Sequence, residues 1–276
     1  MLIKTLKSAA RSLFAAPARD AVEYPLETED RLNRAHARAP VDQHLRILFE
    51  AVEIGGENFV DLFTRCLQHT GTAVTPFNVF QRFQTRHLLT QYFLETLSVP
   101  GARAECGAYR GATGLLLCHA WRSRDPHFRG GDFFLIDSFS GTSRAVAQDL
   151  IPVRGEDGAT RMEPFFPAGK TDATPEMVRR FFSDYPDARI CPGWIPEVFS
   201  MLPDRQWAFV HLDITIFEPT LAALEYFYPR LASGGVILCD GSVFCPGAER
   251  AWSQFCTQRD IPYVMLGHRE SVLIKP

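Results

Sequence analysis

The sequence has little of what marks a nucleic-acid-binding or membrane protein. Its 29 Lys and Arg residues nearly balance 32 Asp and Glu residues, and no basic run is interleaved with aromatic residues, so no nucleic-acid partner is expected. No segment reads as a membrane span, and the N-terminal segment lacks the continuous apolar core of a signal peptide. These absences predict a cytoplasmic protein whose partner is a small molecule.

Cysteine pairs at the spacing of a zinc or redox site are also absent. The seven cysteines lie mostly in apolar segments, and no two of them form a C-x-x-C pair. An odd number of scattered cysteines favours buried, reduced thiols over disulfides or a zinc site.

The character of the sequence changes near residue 100. Before this point, apolar residues recur at helical spacing in 41–54, 57–69 and 78–97, which predicts three helices. The first 20 residues would form a basic amphipathic helix, which we interpret as an arm, a lid or a contact within a homo-oligomer. We therefore predict a helical N-terminal arm and cap over 1–100 and a second domain over 101–276.

The second domain alternates short apolar strands with helical patterns. The predicted helices lie at 112–123, 174–185, 218–231 and 246–259. The predicted strands are Ala102 to Cys106, Phe133 to Asp137, Arg189 to Cys191, Phe209 to Asp213, Val236 to Asp240, Tyr263 to Gly267 and Ser271 to Lys275. This alternation predicts a doubly wound α/β sheet, with the last two strands as an antiparallel edge hairpin.

A long insertion, residues 141–173, follows the second predicted strand. A segment of this length is typical of a lid or a substrate wall. We interpret its acidic residues as a solvated face: Asp149, Glu156, Asp157 and Glu163.

The turn after the first strand has the sequence AECGAYRGATGLLLC, from Ala104 to Cys118. Its glycines do not have the G-x-G-x-x-G spacing of a dinucleotide site, and no G-K-[ST] of a phosphate loop follows. Instead, Glu105 ends the first strand and Asp137 ends the second. A carboxylate at the second strand end accepts both hydroxyls of a ribose, so the combination favours S-adenosylmethionine (SAM), which carries a ribose and an amino-acid tail.

These motifs give the sequence a resemblance to the macrocin O-methyltransferase family, the TylF and MycF-like enzymes. The landmarks are ECGAYRGATG, LIDSF, GWIPEVF, FVHLD, EPTLAALEYFYPRLASGGVILCD and PGAERA. The resemblance implies a Rossmann-like class I methyltransferase sheet, a helical cap, SAM as methyl donor and usually Mg²⁺. The strand-end motifs and the resemblance together predict a set of cofactor-binding residues: Glu105, Gly107, Tyr109, Arg110, Gly111, Asp137, Ser138, Gly193 and Trp194.

The segments that resemble the family's metal site depart from its pattern. Asp213 and Asp240 are present, but Gly241 stands at a third ligand position and Thr215 replaces a further acid. Two aspartates are still enough for Mg²⁺, which often takes only one or two protein carboxylates. Alternatively the site is free of metal, and Asp213 or Asp240 acts as a base or orients the substrate. His211 is a third catalytic candidate, although a structural role also explains it.

The sequence therefore predicts a SAM-dependent O-methyltransferase that tailors a natural product, either a sugar or a polyketide or peptide. Two alternatives stay open at this point. One is a metal-free cyclase in which the methionyl amine attacks its own γ-carbon, giving azetidine-2-carboxylate and methylthioadenosine. The other is a SAM-binding module without catalysis.

Overall fold

The structure is a computed structural model that describes residues 52–74, 82–169, 171–242, 245–266 and 270–276. The predicted N-terminal arm and most of the predicted helix 41–54 lie outside these residues. The end of that helix prediction is wrong, because strand β1 (Glu53–Ile54) pairs with β2 (Glu57–Asn58) in a short antiparallel hairpin. Gly55 and Gly56 take positive φ angles in its turn, which breaks a helix.

Two cap helices, α1 (Phe59–His69) and α2 (Arg82–Glu95), follow where helices are predicted. The Asn58 side chain starts α1 by accepting hydrogen bonds from the backbone N–H groups of Val60 and Asp61. Apolar residues of both helices join one buried cluster with helix α3 (Ala112–Arg124). The division of the chain at residue 100 stays a prediction.

The main sheet has seven strands, which confirms the doubly wound α/β prediction. Its order is β10-β11-β9-β8-β3-β4-β7. The strands are β3 (Ala102–Cys106), β4 (Phe133–Asp137), β7 (Arg189–Pro192), β8 (Trp207–Leu212), β9 (Leu231–Asp240), β10 (Val264–Leu266) and β11 (Glu270–Ile274). Strand order reverses between β3 and β8, and this is where open α/β sheets bind ligands.

The central strands are buried on both faces, which explains their continuous apolar sequences. Every residue of β3 and β8 is buried. At the end of the chain, β11 pairs antiparallel with both β10 and β9, so the predicted edge hairpin is confirmed. Residues 267–269, between β10 and β11 in the sequence, lie outside the described residues.

The remaining helices are α4 (Pro175–Phe181), α5 (Phe217–Phe227) and α6 (Pro246–Arg259). Helix α6 agrees with the prediction at both ends, whereas α4 ends four residues earlier than predicted. The side chain of Thr174 caps the N-terminus of α4, and Pro175 is its first residue.

The insertion contains an antiparallel hairpin that was not predicted from the sequence. It is formed by β5 (Leu150–Arg154) and β6 (Thr160–Pro164). The interpretation of Asp149 as part of a solvated face is wrong, because this side chain is buried. Its Oδ1 accepts a hydrogen bond from the Phe217 backbone N–H at 2.7 Å, and its Oδ2 accepts one from Val146 at 2.8 Å. Asp149 therefore ties the base of the insertion to the start of α5.

The described residues bear on two expectations from the sequence, reduced cysteines and the lack of a membrane-spanning helix. All seven cysteines lie within the described residues, none of these is joined in a disulfide, and six are buried. Within the described ranges, no helix has the length and apolar character that a membrane crossing requires.

Candidate functional site

The glycine turn after β3 passes very close to the end of β8. Gly107 has φ +89°, and a Cβ on it would lie 2.8 Å from the carbonyl carbon of Asp213 and closer still to its oxygen. Only glycine fits this approach. The crossing brings the turn and the end of β8 to one place at the carboxyl edge of the sheet.

The same turn positions the carboxylate that ends β4. Asp137 Oδ2 accepts a hydrogen bond from the Tyr109 backbone N–H at 2.8 Å, and Oδ1 accepts one from Phe139 at 2.7 Å. Both donors have positive φ, an uncommon conformation for residues other than glycine. Since a carboxylate has about four acceptor sites, Asp137 keeps two for further donors, as the hydroxyls of a ribose require. Burial raises the pKa of Asp137, although the two backbone donors oppose the shift.

Other residues of the turn have structural contacts that the sequence does not predict. The Arg110 guanidinium pairs with Asp172 at the end of the insertion and also donates to the Gly71 carbonyl in the cap. The Tyr109 hydroxyl donates to the same Asp172 at 3.0 Å. The Arg110 side chain thus links the cap to the insertion, and its predicted role in cofactor binding stays a prediction.

Gly111 and Ser138 also have local structural roles. Gly111 precedes α3 with φ +83°, and a Cβ on it would lie 2.7 Å from the Phe182 ring. The Ser138 hydroxyl donates to the Gly141 carbonyl at 3.0 Å and accepts from the Ser140 N–H at 3.1 Å. Packing and turn formation explain both residues without a ligand, so their predicted contacts with a cofactor remain predictions.

Gly193 and Trp194 follow β7, beside the end of β4. The Gly193 N–H donates to the Asp137 carbonyl at 2.9 Å, which fixes this turn next to the carboxylate. Trp194 is 42% exposed. The predicted contact of this pair with the adenine stays a prediction.

Glu105 and His211 form a buried pair on neighbouring strands. They are register partners in β3 and β8, and Glu105 Oε1 lies 3.2 Å from His211 Nδ1. Among the described residues, Glu105 Oε2 and His211 Nε2 have no hydrogen-bond partner. Burial raises the pKa of Glu105, while its hydrogen bond to His211 opposes the shift.

A buried arginine of the cap lies between the two candidate catalytic aspartates. Arg86 Nη2 donates to Asp213 Oδ2 at 2.9 Å, and Nη1 lies 3.1 Å from Asp240 Oδ2, an ion pair without good hydrogen-bond angles. The Arg86 side chain is 1% exposed. Arg82, one helical turn earlier, has Nη1 4.0 Å from the same oxygen of Asp213. Sequence analysis missed both arginines; the available signal was their i, i+4 spacing on a helix that otherwise buries apolar residues.

The charges of this cluster depend on each other. Burial would lower the pKa of Arg86, but the surrounding carboxyls of Asp240, Asp213, Glu270 and Glu105 raise it above its usual value. Burial raises the pKa of Asp213, and neighbouring Asp240 adds to the shift. Burial also disfavours the charged form of Asp240, but Arg86 outweighs it and holds that pKa below its usual range.

Glu270, the first residue of β11, is a second group that the sequence analysis missed. It is the register partner of Asp240 and is fully buried. Neither of its carboxyl oxygens has a hydrogen-bond partner among the described residues. Burial, with Asp240 nearby, raises the pKa of Glu270 to about 9.

The arrangement fits magnesium poorly. His211, Asp213 and Asp240 each offer a ligand atom, and these atoms lie within 4.8 Å of one another. However, the Arg86 guanidinium already bridges the two carboxylates. A dication about 5 Å from a guanidinium would be repelled by about 7 kcal/mol at an effective dielectric constant of about 20.

One pocket joins the glycine turn, the cap and Asp213. Its walls include Glu105, Gly107 and Tyr109 from the sheet side, Asp213 from the end of β8, and Arg86 from α2. The chemistry of these groups suits SAM, because Gly107 allows close approach, Glu105 has a buried carboxyl oxygen without a hydrogen-bond partner among the described residues, and Asp137 beside the pocket has free acceptor capacity. Asp137, Gly193 and Trp194 do not line this pocket. Asp137 lies beside it, because its carboxylate accepts a hydrogen bond from the N–H of Tyr109, which does line the pocket.

Comparison with solved structures shows the same fold. The O-methyltransferase NovP matches with a TM-score of 0.59 at 20% identity, covering 79% of this chain and 98% of that chain. The calicheamicin methyltransferase CalS11 matches with a TM-score of 0.57 at 18% identity, covering 94% of this chain and 98% of that chain.

Comparison with curated proteins shows relatives among natural-product O-methyltransferases. The chain is 28% identical over 171 residues to demethyldecarbamoylnovobiocin O-methyltransferase of Streptomyces niveus, covering 59% of this chain and 61% of that protein. It is 27% identical over 151 residues to mycinamicin III 3''-O-methyltransferase of Micromonospora griseorubida, covering 51% of this chain and 55% of that protein. The chain therefore spans less than two thirds of the length of these relatives.

The family is established by a longer match. The family model described as Macrocin-O-methyltransferase (TylF) matches residues 81–267. This segment begins at α2, contains the glycine turn and both aspartates, and extends beyond β10. Because it covers more than half of the sequence, the chain belongs to the macrocin O-methyltransferase (TylF) family.

Proposed function

We propose that this protein is a SAM-dependent O-methyltransferase that methylates a hydroxyl of a natural product. The observation that carries the proposal is the pocket in which Glu105, Gly107 and Asp213 meet beside Asp137. Membership of the family and the activities for which its relatives are named support the same reaction. Their names include methylation at the 3'' position of mycinamicin III, and the name of a relative from Streptomyces olivaceus includes a rhamnosyl group on tetracenomycin C, which supports a glycosylated acceptor.

SAM is assigned to the carboxyl edge of the sheet. Asp137 would hold the ribose, and Gly193 with Trp194 would border the adenine. Glu105, whose Oε2 has no partner among the described residues, would face the amino-acid tail. When bound, SAM supplies an electrophilic methyl group on a sulfonium. The residues that contact it would form no covalent bond to it and would mainly fix its orientation.

The protein's main contribution to the rate is positioning. Holding an acceptor oxygen about 3 Å from the methyl carbon contributes about 7 to 11 kcal/mol relative to reaction in solution. The cap supplies one wall of the pocket through Phe63 and Leu67 of α1. Apolar walls exclude water, which would otherwise compete with the acceptor hydroxyl.

Asp213 is the group that we assign as proton acceptor. It lines the pocket, and its side chain is 20% exposed, so an acceptor hydroxyl can reach it. The residues around the pocket would hold the acceptor hydroxyl beside the methyl group that bound SAM would supply. The hydroxyl proton passes to the Asp213 carboxylate. Asp240 is held by Arg86 and orients Asp213 through that arginine.

Product analysis with purified protein tests the proposal. We expect S-adenosylhomocysteine and a methylated product only when SAM is supplied together with a hydroxylated acceptor, such as a desmethyl macrolide glycoside or a nucleotide-activated deoxysugar. Methylthioadenosine formed without any acceptor would instead indicate cyclisation of the methionyl chain. SAM binding without turnover across the acceptor panel would indicate a binding module.

A further inference from the structure

The cap-facing side of the sheet collects an unusual number of acidic groups. Alternation along the strands puts Glu105, Asp213, Asp240 and Glu270 on the same face as buried apolar residues of the cap cluster. All four carboxyls act electrostatically on Arg86. Buried carboxylates need a nearby cation, since isolated buried charges are strongly destabilising.

Arg86 meets this requirement from within the chain. It is buried, it lies 2.9 Å from Asp213 and 3.1 Å from Asp240, and its helix is held against the sheet by the cap cluster. The planar guanidinium presents two amino groups to two carboxylates, a geometry that lysine does not reproduce. A bridging cation between two carboxylates is also the position that a metal ion would take.

The loop after β9 is built without room for a third acid. Gly241 has φ +78°, and a Cβ on it would lie 2.8 Å from Cys245 Sγ. An aspartate at this position would need a left-handed backbone and a displaced Cys245 side chain. Gly241 and Arg86 are therefore two features of the same site, in which a third carboxylate is absent and an arginine lies between the other two.

We propose that Arg86 takes the place of the divalent ion, so that this protein binds no metal at Asp213 and Asp240 and transfers methyl groups without one. Arg86 neutralises Asp240, orients the Asp213 carboxylate and donates from Nη2 beside the acceptor hydroxyl. This inference rests on the proposed function only for the contact with the acceptor hydroxyl, because metal binding is measured separately from methyl transfer.

Calorimetry on the full chain tests the binding statement. Titration of wild-type protein with MgCl₂ or MnCl₂ is expected to give no saturable heat and no change in Tm. Once an acceptor is known, the rate in excess EDTA is expected to equal the rate in MgCl₂. Saturable binding to wild type that is lost in Asp213→Asn would overturn the proposal, whether or not methyl transfer is detected.

Variants of Arg86 test the replacement itself. Arg86→Ala removes the internal cation and opens the two carboxylates, so its Tm is expected to rise by a few degrees on addition of MnCl₂, because an ion that binds only the folded state stabilises it. Arg86→Lys keeps a charge and is expected to stay insensitive to MnCl₂. Arg65→Ala, which removes an exposed arginine paired with Glu57, is the matched control and is expected to behave as wild type.

The variants also have outcomes that count against the proposal. An Arg86→Ala protein that folds but shows no response to MnCl₂ would contradict the idea that the arginine stands in the ion's position. If Arg86→Ala does not fold, the wild-type titration alone decides.

Discussion

The backbone of Gly107 crosses the carbonyl group of Asp213 so closely that no side chain fits between them. A Cβ on Gly107 would lie 2.8 Å from the Asp213 carbonyl carbon. The Asp213 N–H in turn donates to the Cys106 carbonyl at 2.8 Å. The glycine turn and the proposed proton acceptor are therefore one rigid unit, and displacing either one moves the other.

Gly107→Ala is expected to lower both stability and SAM affinity. The new Cβ collides with Asp213, and the φ of +89° is strained for alanine, so we expect a loss of about 1 to 3 kcal/mol in the free energy of unfolding. Urea denaturation and calorimetry with SAM measure the two effects. The matched control is Gly131→Ala, where a Cβ meets nothing within 4 Å; equal losses in both variants would contradict the assigned contact.

Asp137→Asn is expected to weaken SAM binding about 10- to 100-fold. The amide replaces one acceptor oxygen by a donor, and hydrogen bonds to charged groups contribute about 1.5 to 3 kcal/mol. The amide also turns a donor toward the N–H of Tyr109 or Phe139. Calorimetry measures the affinity. Asp187→Asn, which changes an exposed carboxylate paired with Arg129, should bind SAM as wild type does, and unchanged affinity in Asp137→Asn would refute the ribose assignment.

Glu270 is expected to make the protein less stable as the pH rises. Its folded-state pKa is about 9 and its ordinary value is 4.5, so between these values the folded state holds a proton that the unfolded state has released. Stability then falls by about 1.4 kcal/mol per pH unit from this group. The charged neighbours that act on it are Asp240, Arg86 and Asp213.

Glu270→Gln removes this titratable carboxyl group. The free energy of unfolding of the variant is therefore expected to depend less on pH between pH 5 and pH 9 than that of wild type. Urea denaturation across this range measures the difference from wild type. Glu176→Gln, at an exposed position of α4, is the control and should follow the wild-type profile. A profile of Glu270→Gln that runs parallel to wild type would show that Glu270 is already ionised in the folded state.

Asp149→Ala is expected to cost about 1 to 3 kcal/mol in the free energy of unfolding. Both carboxylate oxygens accept backbone hydrogen bonds, one of them buried, and α5 has no side-chain cap of its own because Ile216 precedes it. Thermal or urea unfolding measures the loss. Asp157→Ala removes an exposed carboxylate of the same insertion, paired with Arg161, and should unfold much as wild type does, because water screens an exposed ion pair. Similar effects in the two variants would mean that the insertion is not anchored through Asp149.

Local patterns in the sequence were sufficient to predict most of the sheet. Runs such as FFLID and WAFVHL are apolar because both faces of β4 and β8 are covered, and this pattern is visible without a structure. Acidic residues near the carboxyl ends of β3, β4 and β9 also identify Glu105, Asp137 and Asp240, since the carboxyl ends of parallel strands meet at one edge. The hairpin of β5 and β6 was not predicted because neither strand enters the core: β6 is fully exposed, and β5 is only partly covered and contains Pro152.

The sequence by itself determined the alternation of strands and helices, the glycine turn and the acidic residues at the strand ends, because each depends on neighbours within a few positions along the chain. Only the tertiary structure decided that Arg86 lies between Asp213 and Asp240. The arginine is 127 residues from Asp213 along the chain, and their contact depends on how α2 packs across the sheet. Such packing is set by the shapes of both surfaces, which no local pattern encodes.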